Sequence, residues 1–387
     1  MSGLLQLLII TGIIVGWLEL SHRLRPYSPL RIKTFDWTVS KTSTGLKAIG
    51  WIEIINPHKR MEIMVPELEV KPVLLGKEKV REIEIKTHVI TYHPDEESRL
   101  DGYWQAYILK SEKNTRAQII IELEEQGSVD AIKSVENIWV DFNWISYGPF
   151  GRIRSKQGAV IPIKKPNTLS PDKAYFKQYK DCQVLPIKTH LLGPLDDIVD
   201  VVSTYASQIV RPGDILTIGE TPIAIMQGRY IHPSTVKPGF LARLLCHAFH
   251  PTSSLATACG LQTLVDISGP SRVLISFLIG TLGRLLFIRG IFYRLAGNQA
   301  RLIDDITGTT PPYDQTIVLG PESPRDLCEK VSSHLGIDVA IVDVNDLGRV
   351  KILATSRKCN KSYLHKALRT NPAGNANEQT PIVLVRP

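Results

Sequence analysis

Two aspartate-containing segments hold the residues best suited to chemistry in this chain. The first, AIVDVNDLGRVKIL, places Asp343, Asn345 and Asp346 between two apolar runs typical of β-strands. The second, ARLIDDITG, contains Asp304 and Asp305. Carboxylates at strand ends bind hard cations such as Mg²⁺ or Mn²⁺, which neutralise phosphate oxygens during group transfer. The two segments therefore predict a divalent-cation site that works beside a phosphate group.

Ordinary turn chemistry explains the same two segments equally well. Asn345 and Asp346 suit a tight hairpin turn, and Asp304 and Asp305 suit a helix cap or a loop. The residue pattern by itself leaves both interpretations open. Several common signatures are absent from the sequence, namely GxxxxGK[ST], GxGxxG after a strand, GxSxG and HExxH. A nucleotide would therefore need a different phosphate-binding arrangement.

The composition is that of an ordinary folded protein with a moderate basic surplus. The 387 residues are 43% hydrophobic and 22% charged, with 46 Lys and Arg against 38 Asp and Glu, and this length predicts two domains. The basic residues are dispersed and lack the interleaved aromatics of a nucleic-acid groove, so an anionic membrane or substrate is favoured over nucleic acid. Five widely spaced cysteines indicate free thiols in a reducing compartment.

The amino-terminal residues 3–20 predict a membrane anchor. Their sequence, GLLQLLIITGIIVGWLEL, is interrupted only by Gln6, Thr11 and Glu19, and as a helix it would be about 27 Å long, close to one hydrocarbon core. A cleaved signal peptide is disfavoured because no basic segment precedes the run and no small-residue cleavage site follows it. Basic residues follow the run on its carboxyl side, so we expect a single-pass protein with most of the chain in the cytoplasm.

After the amino-terminal run, the sequence pattern changes once, from alternating strand-like runs to a mixture of strand-like and helix-like runs. Residues 34–165 consist of short runs with period-two alternation, which predicts an antiparallel β-sandwich. Residues 166–180 contain KKPNTLSPDK and are typical of a linker. Residues 181–387 alternate between strand-like and helix-like runs and predict an α+β domain. The expected fold is thus a transmembrane helix, a β-sandwich and an α+β domain.

Individual elements are predicted within the α+β domain. DILTIG and PIAIMQG read as strands with GETP as the turn between them, and PGFLARLLCHAF reads as a helix. The long apolar run SRVLISFLIGTLGRLLFIRG resembles a second membrane span, but its arginines and glycines favour a buried or interfacial helix. PRDLCEKVSSHLG predicts a helix followed by the strands DVAIVDV and RVKILAT, and PIVLVRP predicts the final strand.

From Val184 onwards the chain resembles the coenzyme F-420 L-glutamate ligase family, also called F-420-0 gamma-glutamyl ligases. The similar segments are VLPIKTHLLGPLDDIVDVV, GDILTIGETPIAIMQGR, ARLIDDITG, AIVDVNDLGR and TPIVLVRP. They cover roughly residues 184–356 and the last strand, which is less than half of the chain. Their order and spacing match the family, whose members add glutamate to a deazaflavin coenzyme precursor.

The resemblance implies a GTP-dependent amide ligase. In that chemistry the γ-phosphoryl group passes to a substrate carboxylate, and an amine then attacks the acyl phosphate. By position in the family motifs, Asp304 and Asp343 would bind Mg²⁺ or Mn²⁺, with Asp305 and Asp346 as alternatives one register away. Arg229 would lie near the nucleotide, and Asn345, already named, would hold the turn or contact a phosphate. No catalytic residue is assigned, and a homodimer is expected by analogy.

The chain departs from the family at three places. Gln227 stands where the family has Glu, Val344 stands where it has Thr, and the region after Ser356 is shorter. These departures leave the substrate carboxylate open, so it need not be the deazaflavin. Two hypotheses follow: a membrane-anchored, GTP- and metal-dependent glutamyl-type ligase, or a non-catalytic nucleotide-binding, metal-binding or scaffold protein on the same fold.

Overall fold

The computed structural model describes residues 3–23, 28–76, 83–126, 131–179, 182–305, 310–345, 348–357, 359–374 and 378–387. The chain forms two compact units that are each discontinuous in sequence. The first unit contains Met1–Pro72, Ile83–Gly127 and Asp141–Gln157. The second contains Val73–Glu82, Ser128–Val140 and Gly158–Pro387.

The first helix, α1 (Gly3–Arg23), contains the apolar amino-terminal run. Its large apolar side chains, among them Ile10, Ile14 and Trp17, are exposed. The apolar part of this helix extends over Leu5–Glu19. Over the described ranges, no single helix is both long and apolar enough to cross a membrane.

Eight strands form the β-sandwich region, with one short helix, α2 (Ala131–Ser134), before the seventh. The strands are β1 (Arg31–Lys41), β2 (Gly45–Ile55), β3 (Ile63–Gly76), β4 (Ile83–Tyr92), β5 (Tyr107–Leu109), β6 (Asn114–Glu125), β7 (Val135–Gly148) and β8 (Gly151–Pro162). They make two four-stranded sheets with the orders β1-β2-β6-β4 and β5-β3-β7-β8. An antiparallel β-sandwich in this part of the chain agrees with the sequence.

Strict alternation of side chains explains the sheet that contains β2 and β6. Strand β2 alternates half-buried and buried residues along its whole length, and β6 does the same over most of its length. The buried members include Ile52 and Ile54 on β2 and Ile119 and Ile121 on β6. Since successive side chains point to opposite faces of a strand, this pattern places one continuous apolar face inside.

The second unit is built on a six-stranded mixed sheet with the order β16-β15-β11-β17-β10-β9. Its strands are β9 (Lys177–Tyr179), β10 (Cys182–Ile187), β11 (Ile215–Gly219), β15 (Asp338–Val344), β16 (Val350–Thr355) and β17 (Ile382–Arg386). Strands β11 and β15 are parallel neighbours, whereas β17 is antiparallel to β11. A small three-stranded sheet contains β12 (Tyr230–Ile231), β14 (Ile317–Val318) and β13 (Asp304–Asp305) in that order.

Eight described α-helices lie between β10 and β17 in the chain, and some of them cover the two faces of the six-stranded sheet. They are α3 (Ile198–Tyr205), α4 (Glu220–Met226), α5 (Phe240–Leu245), α6 (Ala258–Ser268), α7 (Pro270–Leu285), α8 (Ile291–Leu295), α9 (Pro324–Leu335) and α10 (Lys361–Ala367). Helices α3, α4 and α9 pack on the face that contains Ile218 and Ile341. Helix α10 packs on the opposite face, which contains Ala340 and Val342. This arrangement is an α+β fold.

One predicted strand was wrong. PIAIMQG is not a strand, because Glu220–Met226 forms helix α4 directly after β11. Its short apolar run fits a buried helix as well as a strand. Pro222 is compatible with the helix because it lies in the first turn, where no backbone donor is needed. The correction places Glu220 at the start of a helix instead of in a turn.

Candidate functional site

Two acidic residues, Glu220 and the predicted ligand Asp343, lie at one edge of the six-stranded sheet. Strands β11 and β15 run in parallel, with Gly219 opposite Val342. Glu220 follows the end of β11, and Asp343 lies near the end of β15. The carboxyl ends of parallel strands meet at the same edge of a sheet, and such edges commonly bind ligands in α/β structures. Chain topology therefore makes Glu220 and Asp343 neighbours.

Glu220 is the most perturbed acidic group at this edge. Its carboxyl is largely buried, and Oε2 has no hydrogen-bond partner among the described residues. Burial, followed by the negative charges of Asp343 and Asp304, raises the pKa of Glu220 to about 8, while Lys351 opposes the shift. The carboxyl is therefore mostly protonated at neutral pH. Asp304 and Asp343, which are distant in sequence, both lie close enough to act on this group.

Asp343 and Val344 lie on opposite sides of β15. Asp343 pairs in register with Lys351 on β16, and its Oδ2 lies 3.8 Å from the Lys351 Nζ. Val344 instead packs against the apolar cluster that includes Leu364 and Leu368, on the side of helix α10. Successive side chains of a strand point to opposite faces, which explains why Asp343 and Val344 are separated. The isopropyl group of Val344 thus belongs to the core under α10.

Asp304 and Asp305 are separated in the same way on strand β13. The Ser254 hydroxyl donates to Asp304 Oδ1 over 3.4 Å, and Asp304 is the member of the pair whose charge reaches Glu220. Asp305 is buried and accepts a hydrogen bond from Thr257. Thr257 is the N-cap of helix α6. Asp305 therefore supports the start of a helix, and burial raises its pKa.

The predicted nucleotide-binding residues have intramolecular partners. The Arg229 Nε donates to the Gly320 carbonyl over 2.7 Å, and its guanidinium pairs with Glu322. Gln227 exchanges two hydrogen bonds with the backbone of Glu322, at 3.0 and 2.7 Å. Arg229 and Gln227 therefore stabilise the segment after β14 that contains Gly320 and Glu322.

Asn345 holds the turn between β15 and β16. Its side-chain Oδ1 accepts from the Arg349 backbone N–H over 3.0 Å, and its own N–H donates to the Arg349 carbonyl over 3.1 Å. The turn is one of the two roles expected for Asn345. Asp346, the alternative ligand, lies outside the described residues.

A cavity of about 180 Å³ opens at the same sheet edge. Its lining comes from the segment after β10, the Gly219–Pro222 region after β11 and the segment before β17, with Thr310 and Tyr313 completing it. Drug-sized ligands usually occupy pockets of roughly 300–1,000 Å³. This cavity therefore suits a small substrate, or one end of a larger one.

A buried polar chain borders the cavity. The His190 Nδ1 lies 2.8 Å from the Tyr205 hydroxyl, and its Nε2 lies 2.8 Å from Asp196 Oδ1. Asp196 Oδ2 also accepts from the Gly193 N–H over 2.8 Å. These bonds fix the loop that carries the cavity wall. Sequence reasoning did not select His190, although the spacing of His190 and Asp196 in THLLGPLDD was a visible signal.

The donor set suits a hard cation, but it does not form a closed site. Glu220, Asp304 and Asp343 supply only oxygen ligands, which Mg²⁺ and Mn²⁺ prefer, and one Glu220 oxygen is unsatisfied. Within the described ranges, however, no group of three or more His, Cys, Asp or Glu residues is arranged closely enough to hold a metal ion. The residue types fit a cation, and a bound ion would have to draw the carboxylates together.

Comparison with known families gives a match in the amino-terminal β-sandwich region. Residues 31–165 match the family model described as F420-0:gamma-glutamyl ligase, N-terminal Ig-like domain. The match nearly coincides with the predicted sandwich, residues 34–165, and lies outside the region where the sequence showed the resemblance. No curated protein matches the chain.

Solved structures similar to this chain include three domains, each covering 36% of it. They are the ASH/PapD-like domain 7 of human CEP192 (11% identity, 91% of that chain, TM-score 0.20), the GAE domain of GGA2p from Saccharomyces cerevisiae (8%, 95%, 0.20) and the yeast GGA1 GAE domain (13%, 96%, 0.20). These TM-scores are too low to support an inference.

Proposed function

We propose that this protein is a nucleotide- and divalent-cation-dependent amide ligase of the glutamyl ligase type, acting at the carboxyl edge of β11 and β15. The observation that carries the proposal is the buried Glu220 Oε2, which has no hydrogen-bond partner among the described residues and belongs to a carboxyl on which the charges of Asp343 and Asp304 act. Functional sites concentrate such perturbed groups. The adjacent cavity provides space for a small carboxylate or amine.

The two halves of the chain support the proposal independently. The Ig-like model matches residues 31–165, whereas the ligase-like segments begin at Val184 and end with the last strand. A chance resemblance in one half would not predict a matching family in the other. Together they favour ligase chemistry on this chain, with GTP as the nucleotide suggested by the resemblance.

Glu220, Asp304 and Asp343 are the residues that would hold Mg²⁺ or Mn²⁺. A bound cation would neutralise phosphate charge and so allow an anionic carboxylate to approach. For Glu220 to become a ligand it must release its proton, because only the carboxylate binds the ion strongly. The pKa of about 8 therefore makes cation binding dependent on pH.

In the proposed reaction a substrate carboxylate oxygen attacks the γ-phosphorus, and GDP leaves. An amine then attacks the acyl carbon, inorganic phosphate leaves, and the ammonium proton passes to a base or solvent. The cavity wall between His190 and Tyr313 would shield the acyl phosphate from water. Lys351, beside Asp343, supplies a positive charge at the phosphate-facing edge.

A non-catalytic binding role is the second candidate, and two observations favour it. Arg229 and Asn345 have the structural partners described above, and the described carboxylates form no closed three-ligand group. A scaffold protein would retain the fold and the acidic edge without turnover. Binding and turnover must therefore be measured separately.

The first test is a thermal-shift titration of the full chain with Mn²⁺ and GTP. Wild type should melt at a higher temperature with the ligands, because a ligand that binds only the folded state raises apparent stability. Asp343→Asn and Glu220→Gln should lose most of this shift, while Asp326→Asn, an exposed acid on α9, should retain it. Equal shifts in all four proteins would contradict the acidic edge as the cation site.

Turnover distinguishes the ligase from the scaffold. Mn²⁺-dependent release of phosphate from GTP, stimulated by a carboxylate and an amine, would support the enzyme. Ligand-dependent stabilisation without phosphate release across a panel of dicarboxylates and amino acids would favour the binding protein.

We also propose that α1 attaches the protein to a membrane, with most of the chain in the cytoplasm. The exposed apolar side chains of Ile10, Ile14 and Trp17 support this role, and the basic residues that follow the apolar run agree with the orientation. The attachment is independent of the chemistry proposed above.

A further inference from the structure

Helix α7 (Pro270–Leu285) presents its large apolar side chains to solvent. Those on the exposed face are Leu274, Ile275, Leu278, Ile279, Leu282 and Leu285. The face continues past the helix through Leu286, Phe287 and Ile288. Isolated exposed apolar residues are normal, but a contiguous apolar face on a helix marks an interaction surface.

The inward face of α7 combines Val273 and Phe277, which pack in the apolar cluster with α5, α6 and α8, with small residues at its closest contacts. Ser276 and Gly283 are buried, and a Cβ added at Gly280 would lie 2.9 Å from the Phe292 Cβ on α8. Helix α7 therefore packs closely on α8 through its small side chains. Unlike an ordinary surface helix, which has a polar outer face, α7 is apolar on its outer face as well.

Phe287 ends this surface in an unfavourable conformation. Its side chain is 94% exposed, and its φ of 63° lies in the left-handed region, where glycine is favoured after a helix. The Ile288 N–H donates to the Gly283 carbonyl over 2.8 Å, which completes a Schellman-type helix end. Phe287 therefore adopts a backbone conformation that favours glycine without burying its ring against the described chain.

Arginines border the apolar face along the sequence. Residues 267–303 contain five arginines and no Asp or Glu. Arg272 lies at the beginning of α7, and Arg284 and Arg289 lie at its end. All five arginines are exposed. An apolar face with a cationic border matches a leaflet that contains anionic lipids.

We propose that the exposed face of α7 and Leu286–Ile288 bind side-on to the surface of an anionic membrane, as a contact separate from α1. The helix has 16 residues and would be about 24 Å long, and its inner face is occupied by α8. It therefore lies in the interface and does not cross it. The arginines would reach the headgroups while Leu282 and Phe287 enter the acyl region.

A second copy of the chain is a less suitable occupant. A two-fold dimer through this face would place the same patch on both sides of the interface. The arginine border would then face its own copy, and like charges across an interface disfavour association. Anionic headgroups remove that repulsion, so the charge pattern selects the membrane.

The test uses the full-length chain with Ile10→Asp and Ile14→Asp, which weaken the separate contribution of α1. Binding is measured by co-sedimentation with phosphatidylcholine vesicles, with and without phosphatidylglycerol. Arg284→Glu with Arg289→Glu should weaken binding to the anionic vesicles by about 25-fold or more, given roughly fivefold per arginine. Leu282→Ser with Phe287→Ser should abolish it.

Arg325→Glu is the matched control, since it reverses an exposed arginine on α9 outside the patch and should leave binding within about twofold. Melting curves must show that each variant remains folded. Equal vesicle binding by patch and control variants would overturn the proposal. So would a dimer in sedimentation velocity that Leu282→Ser with Phe287→Ser dissociates, with no vesicle binding.

A second measurement requires no substitution. In the wild-type chain, hydrogen exchange of the amides at residues 286–289 should slow in anionic vesicles relative to detergent. Unchanged exchange there would also contradict the proposal.

Discussion

The acidic edge of β11 and β15 and the exposed face of α7 both depart from the usual burial of apolar groups and exposure of polar groups, but in opposite ways. At the edge, Glu220 is a polar group buried without a described partner for one of its oxygens. On α7, large apolar groups such as Leu282 and Phe287 are exposed. Each arrangement is unfavourable in isolation, because buried polar groups need partners and apolar surface is favoured away from water.

In each region, the group in the unfavourable environment indicates the chemistry of a partner that would stabilise it. At the edge, one Glu220 oxygen has no partner among the described residues, and the charges of Asp343 and Asp304 act on this carboxyl. On α7, a contiguous set of large apolar side chains is exposed. A cation would satisfy the first need and a lipid leaflet the second. Local violations of folding rules commonly mark functional sites.

The largest expected effect concerns Glu220 and pH. Its folded-state pKa of about 8 lies above its ordinary value of 4.5, so the native state keeps a proton that the unfolded state releases between these limits. Wild type should therefore lose stability as pH rises from about 4.5 to about 8, and Glu220→Gln should lack this loss. The stability difference should grow by roughly 3–5 kcal/mol over that window.

Thermal and urea unfolding of both proteins between these pH values measures the difference. Asp326→Asn provides the control for loss of an exposed acid. A difference between Glu220→Gln and wild type that does not change with pH would show that the edge holds an ionised, satisfied Glu220.

A smaller effect is expected on the inner face of α7. Gly280→Val should destabilise the protein by about 1–3 kcal/mol, because its Cβ would approach Phe292 and that residue's backbone nitrogen at 3.1 Å. Ile279→Val, one position away on the exposed face, should be nearly neutral. Melting temperatures measure both. If Ile279→Val were the more damaging of the two, the assignment of Gly280 to the packed side of α7 and of Ile279 to its exposed side would be wrong.

The smallest effect separates the two faces of β15. Val344→Thr should reduce stability by about 1 kcal/mol, because it places a hydroxyl in the half-buried cluster under α10. It should leave the Mn²⁺-dependent thermal shift unchanged, since Asp343 lies on the other face. Tighter Mn²⁺ binding in Val344→Thr than in wild type would place residue 344 at the cation site after all.

Periodicity and motif order determined much of the architecture from the sequence. Alternation in segments such as GLKAIGWIEII predicted the sandwich, because a strand with one buried face must alternate. DILTIG, PRDLCEKVSSHLG and PIVLVRP likewise predicted β11, α9 and β17. The strand predicted for PIAIMQG failed because a short apolar run has no decisive period.

The sequence motifs also identified the candidate carboxylates but could not show which of them share a site. Only the tertiary structure shows that Asp305 accepts a hydrogen bond from Thr257, the N-cap of α6, while the charge of Asp304 acts on Glu220. Only the parallel pairing of β11 and β15 brings Glu220 beside Asp343. The sequence left α7 as a buried or an interfacial helix, and only the packing of Gly280 on α8 and the exposed side chains of the other side show which face is outward. Residue types and their periods are local properties carried by the sequence, whereas neighbours, burial and charge coupling arise from contacts between distant segments and were decided by the tertiary structure.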